Sequence, residues 1–176
     1  MAPPTGIAID RLATLDEPAI EQLAAVLVDC VAGGASVSFM DPLPPDKAAD
    51  FWRRLAPDVA SGARLLIAAR DASGIVGTVQ VVLAQPDNQP HRGDIAKMLV
   101  HRRARGRGVG AALLRAAEDA ARQAGKTLLV LDTATGSDAE RLYARLGWVF
   151  VGTVPGYALW PRGGLCATSF YYRTLG

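Results

Sequence analysis

Only two cysteines, Cys30 and Cys166, occur in 176 residues, far apart and with no C-x-x-C or H-E-x-x-H spacing near either. That scarcity excludes a disulfide scaffold and gives a structural zinc site no support, so both read as free thiols and no metal is expected. Long apolar runs are missing as well, since nothing approaches the roughly 18 uninterrupted apolar residues of a membrane span. The opening stretch "MAPPTGIAID" carries neither the basic nor the apolar region of a secretory leader. A cytoplasmic protein with no membrane partner is the expectation. Nor is one sign of charge in large excess, with 19 Lys+Arg against 17 Asp+Glu, a net charge of +2 and a pI near 8.7. No broad basic face for nucleic acid follows from that balance. Repeats, low-complexity tracts and dividing linkers are also absent, so residues 1–176 read as a single domain.

What is there is an ordinary globular composition, 50% hydrophobic and 20% charged, in a chain long enough to bury a core without staples. From Ile7 to Leu12, apolar and polar residues alternate as in a strand. Apolar positions at helical spacing run from Ile20 to Val31, with Thr14 or Asp16 as candidate N-cap and Gly33-Gly34 as the stop. After a proline-rich loop, "DKAADFWRRL" predicts a second helix interrupted at Pro57. "RLLIAAR" and "IVGTVQVVLA" around "DASG" predict a hairpin, and "DIAKMLV" a further strand. "VGAALLRAAEDAARQAG" is the strongest helix pattern in the chain. "TLLVLDT" reads as a buried strand, "SDAERLYARLG" as a short helix, and "WVFVGTV" and "TSFYYRTL" as two strands around a loop containing Pro155, Pro161, Gly163 and Gly164. The resulting order is β-α-α-β-β-β-α-β-α-β-β.

Positive charge is clustered in one place. "HRRARGRGVGAALL", residues 101–114, gathers Arg102, Arg103, Arg105 and Arg107 with three glycines just ahead of the strongest helix. Small residues let main-chain N–H groups approach a ligand, and a helix start directs unpaired donors and a partial positive charge at it, so a polyphosphate is the natural guest. A nucleotide-binding reading of "AGKT" at 124–127 fails because Ala120 stands where a glycine is required and the residues end a helix instead of opening one. Gly106, Gly108 and Ala111 do satisfy G-x-G-x-x-A, with Asp132 about twenty residues on, as in dinucleotide-binding folds. The arginine-crowded loop and a tail too short for a second βαβ half oppose that reading.

The third reading is R-x-x-G-x-G, Arg105 to Gly110, preceded by "KMLV". With this motif, the element order and the later "SDAERLYARLGW", the chain resembles the GNAT superfamily of N-acetyltransferases over nearly its whole length. "GGASVSFM" and "PGYALWP" further resemble the tabtoxin-resistance acetyltransferase branch. The resemblance implies an α/β (α+β) fold, a mixed, mostly antiparallel central sheet with helices on both faces. It also implies acetyl-CoA as cosubstrate, a small-molecule amine as acceptor and direct attack on the thioester, with antibiotic resistance and a homodimer as further traits found in the family. Residues Gly106, Arg107, Gly108, Val109, Gly110 and Ala111, with Arg105, would wrap the pyrophosphate. Met98, Leu99 and Val100 would receive the pantetheine arm through main-chain groups. Gly136 stands where the family often has an asparagine, with Ser137 beside it as the candidate polar contact.

Acetyl transfer to an amine needs an oxyanion site, a proton for the leaving thiolate and a base for the incoming ammonium. By resemblance Tyr143 supplies the proton. A phenol with pKa of about 10 is already protonated at neutral pH. The base is Asp132, Asp94 or a water, and alternation along the strand puts Asp94 on one face with Ala96 and Met98. Phe39, Trp52, Tyr157 and Trp160 are candidate walls for the acceptor, with plain packing as the other reading of each. A non-catalytic acyl-CoA-binding domain is the competing class of function, and a nicotinamide-nucleotide protein a third.

Overall fold

The computed structural model describes residues 4–176. Its elements follow the predicted order: β1 (Ala8–Leu12), α1 (Glu17–Ala32), α2 (Pro45–Ser61), β2 (Arg64–Asp71), β3 (Gly74–Val82), β4 (Arg92–Val100), α3 (Val109–Gln123), β5 (Leu128–Ala134), α4 (Asp138–Arg145), β6 (Val149–Leu159) and β7 (Leu165–Thr174). The strands form one sheet in the order β1-β2-β3-β4-β5-β7-β6. Every neighbouring pair is antiparallel except β4 with β5. The fold is therefore a mixed, mostly antiparallel α/β sheet with helices on both faces.

Alternation along β2 distributes the apolar residues to the two sides. Leu65, Ile67 and Ala69 join Val109, Leu113, Leu114 and Ala117 of α3 in one core. Leu66 and Ala68 join Leu23, Leu27 and Val31 of α1 and Trp52 of α2 in the other. Leu23, Leu27, Leu113 and Leu114 are fully buried. Each such side chain removed from water contributes about 1.5–3 kcal/mol. Of the two candidate caps of α1, Asp16 serves, its carboxylate accepting from the Ala19 N–H at 2.9 Å.

Two prolines do not break the elements that the sequence rules predict them to break. Helix α2 continues through Pro57 to Ser61. Pro57 is exposed, so the carbonyl that loses its donor can face water, while buried Val59 holds the last turn in place. Strand β6 likewise runs through Pro155 to Leu159, shortening the expected loop. It lies at the edge of the sheet, and its register with β7 shifts between Val154 and Ala158. A proline at such an irregularity removes no ladder bond.

Candidate active site

The site begins with a break in sheet regularity. The register of β3 with β4 sets Gln80 opposite Ala96 and Thr78 opposite Leu99, so Lys97 and Met98 together face the single residue Val79. Lys97 takes a left-handed backbone with φ +48°, the signature of an extra residue in the strand. The bulge bends β4 away from β5. Their pairing covers three positions, Arg92 with Leu128, Gly93 with Leu129 and Asp94 with Val130, while β5 stays with β7 as far as Ala134.

A cleft of about 570 Å³ opens along this divergence, a size typical of small-ligand sites. Met98, Leu99 and Val100 form its floor, Ser137 and Leu142 one wall, and Gly33, Gly34 and Ala35 the other. At its end stands the start of α3, where Gly108 occupies the cap position with φ +79° and, among the described residues, no side chain caps the helix N–H groups. The first helical bond is Ala112 N–H to Gly108 O at 3.1 Å, so the N–H groups of Val109, Gly110 and Ala111 have no helical acceptor. Those three residues line the cleft. A β-carbon on Gly110 would lie 2.9 Å from Leu142 Cδ2, so a larger residue here would push the Leu142 side chain aside. Arg105 donates through Nε to Val100 O at 3.0 Å, fastening the loop to the end of β4.

A second cavity of about 230 Å³ continues from the first, sharing Gly34, Ala35, Met98, Ser137, Ala139 and Trp160 with it. Asp132, at the diverging end of β5, lies on its surface with Lys97 and Tyr143. Tyr143 is the one buried residue of α4, and packing against Trp148 and Tyr171, with ring centroids 5.9 and 6.3 Å away, fixes the short helix. Ser137 caps that helix, accepting from the Glu140 N–H at 3.1 Å. Burial, and after it the negative charge of Asp132, push the Tyr143 phenol well above its ordinary value. It is therefore an acid that stays protonated across the neutral range, on the same cavity as the Asp132 carboxylate.

The model of the GNAT acetyltransferase family matches residues 21–148, the greater part of the chain. This protein belongs to that family. Its reaction class is accordingly acyl transfer. Among solved structures, the fold is similar to yncA from Salmonella typhimurium, solved with its cofactor acetyl-CoA: 17% identity over 98% of this chain and 95% of that one, TM-score 0.78. It is equally similar to an N-acetyltransferase from Staphylococcus aureus Mu50, with 15% identity, 98% and 100% coverage and TM-score 0.79. A GCN5-related N-acetyltransferase from Kribbella flavida is 24% identical, with 97% and 98% coverage and TM-score 0.77.

Within this GNAT chain most of the residues singled out from sequence converge on the two cavities. Met98, Leu99, Val100, Arg105, Gly106, Gly108, Val109, Gly110, Ala111 and Ser137 line the cleft, and Asp132 and Tyr143 the cavity beyond. Arg107 does not, its guanidinium lying 3.4 Å from Thr5 O. Arg102 and Arg103 are held by Asp29 at 2.8 Å and Asp71 at 2.5 Å, so half of the basic cluster fastens the loop rather than facing a ligand.

Asp94 is also elsewhere. The bulge at Lys97 ends the alternation on which its placement rested: Met98 packs with the α3 core beside Ile95, so it shares no face with Asp94, and Asp94 lies in the stretch of β4 still paired with β5. Asp94 accepts from Gln85 Nε2 at 3.1 Å and lies 3.5 Å from Arg92. Of the aromatic candidates only Trp160 lines the cavities. Trp52 is wholly buried in the core, Phe39 packs edge-on against Phe51, and Tyr157 is exposed on β6 against Phe170. Lys97 is the site residue that sequence reasoning missed. Its signal was weak, a single lysine interrupting the apolar run of a buried strand.

Proposed function

We propose that this chain is an acetyl-CoA-dependent N-acetyltransferase that moves an acetyl group to the primary amine of a small molecule, with residues 1–176 acting as one catalytic domain. The observation that carries the reading is the continuity of the cleft. It runs from three unpaired N–H groups at the start of α3, along an edge of β4 that β5 has left, to a buried phenol beside a carboxylate. The residues present fit the cosubstrate: glycines with left-handed φ at 106 and 108 and the space kept free at Gly110 make a cradle for a diphosphate.

When bound, acetyl-CoA supplies an acyl group activated as a thioester. The N–H groups of Val109, Gly110 and Ala111 hold its diphosphate, each contact with the helix dipole contributing about 0.3–1 kcal/mol. Met98, Leu99 and Val100 hold the pantetheine arm as an added strand would be held. Tyr143 keeps the proton that the departing thiolate requires. Asp132, directly or through water, takes the proton of the incoming ammonium. Ser137, between the two cavities, is placed for a polar contact. No role in this scheme falls to Asp94 or Arg107. Resemblance to the tabtoxin-resistance branch, through "GGASVSFM" and "PGYALWP", supports an amino-acid-like antibiotic or metabolite as acceptor; a cytoplasmic setting follows the reading of the N-terminal sequence, and a homodimer the habit of the wider family.

Free coenzyme A released from acetyl-CoA in the presence of an amine panel tests the reading. Tyr143→Phe is expected to lower kcat by about 100-fold or more, the scale of general acid catalysis, with acetyl-CoA affinity changed less than about threefold. Equal loss of both would remove the proton-donor role, and binding of acetyl-CoA with no turnover across the panel would favour a non-catalytic acyl-CoA-binding domain.

A further inference from the structure

The distal cavity holds one anion and one cation that form no ion pair with each other. Asp132 and Lys97 both line it. Yet among the described residues no carboxylate lies within 4.0 Å of the Lys97 ammonium. The contacts of Lys97 are a hydrogen bond to Ser38 Oγ at 3.0 Å and the face of Phe51, 5.6 Å from its centroid. Among the described residues, Lys97 and Ser38 are also the two non-glycine residues with positive φ, at +48° and +77°. Both line the distal cavity.

A half-buried cation without a carboxylate is unfavourable unless something arrives to pair with it. Burial pushes the Lys97 ammonium below its ordinary value, Asp132 restores part of that, and the guanidinium of Arg64 depresses it further. The same charge opposes a simple amine or a polyamine, which would enter this cavity as a cation. An acceptor with a carboxylate a few bonds from its amine meets both wall charges favourably.

We propose that Lys97 receives the carboxylate of the acceptor, so that the preferred acceptors are zwitterionic, amino-acid-like molecules whose amine lies towards Asp132. The proposal rests on the acetyltransferase reading above and narrows it to a substrate class. It makes Lys97 a specificity-determining residue. The side chain owes its position to the same bulge that opens the cleft.

The test uses the full chain, acetyl-CoA, and a panel of L-amino acids each paired with its methyl ester and its decarboxylated amine, with spermidine added. The wild-type protein is expected to prefer acid over ester by at least about tenfold in kcat/KM. Lys97→Asn, which suits the positive φ and removes the charge, brings that ratio to within about twofold, and Lys97→Arg restores most of it. Each kcat/KM is referred to the neutral-amine fraction, because an ester's amine is less basic than its acid's, and comparing the wild-type ratio with the variant's at one pH cancels what remains of that difference. Esters or spermidine used as well as the acids, or a ratio that survives Lys97→Asn, would overturn the assignment of Lys97 while leaving the acetyltransferase reading in place. Acetyl-CoA binding without turnover of any amino acid overturns it as well. Failure to bind acetyl-CoA at all would overturn both.

Discussion

Asp29 explains why part of the basic cluster is structural. Its carboxylate accepts from the Arg102 N–H and from Arg102 Nε, each at 2.8 Å, and lies 3.6 Å from His101 Nε2. Burial alone would raise its pKa, but these hydrogen bonds, with the charges of His101 and Arg102, outweigh that and hold the carboxyl below its usual range. A folded-state value below the unfolded value of about 3.9 means stability that is present above that pH and lost as pH falls through the folded value. Asp29→Asn is therefore expected to be less stable at pH 7 and to show a shallower loss between about pH 4 and pH 2, measured by urea denaturation at stepped pH. At this scale the sequence was informative wherever a motif fixed a residue to a backbone feature. Tyr143 and Gly108 are examples, tied to a helix face and a helix start. Trp52, Phe39 and Tyr157 were not so fixed, because an aromatic ring packs equally well in a core, beside another ring or on an edge strand.

Helix α2 shows how an element can override a local breaker. Pro57 sits where a helix interior loses about 3 kcal/mol relative to alanine, but unfolded-chain entropy returns about 0.4–1 kcal/mol of it. Because Pro57 is exposed, Pro57→Ala is expected to gain about 1–2 kcal/mol. That gain corresponds to a Tm rise of about 2–8 °C by calorimetry, and a fall would mean the proline is required for the path of the chain. Strand β4 is the opposite case. Nothing in "DIAKMLV" marks Lys97 for a left-handed backbone, since lysine has no preference for one. The bulge arises from pairing with β3, and that pairing is a tertiary fact. The one-residue slip separates Met98 from the face of Asp94, and it sets Lys97 on the wall of the distal cavity.

For the whole molecule, element order, sheet class and the main cleft were readable, because period-2 and period-3.6 patterns and the glycine loop are local. The acceptor cavity was not, being assembled from α1's terminal loop, β4, β5, α4 and Trp160. A ligand in the cleft stabilises the fold as a whole: at 100 times its Kd, acetyl-CoA is expected to add about 2.7 kcal/mol, or about 5–11 °C in Tm, whereas NAD at the same concentration adds none. A shift with NAD alone would return the glycine loop to the dinucleotide reading. The short seam between β4 and β5 has a mechanical consequence too. Three paired positions join a four-stranded wing, β1 to β4, to a three-stranded wing, β5 to β7, so the sheet works as two plates on a narrow hinge. Whatever fills the wedge between the plates also braces them, and slower amide hydrogen exchange on both wings would accompany occupancy of the gap.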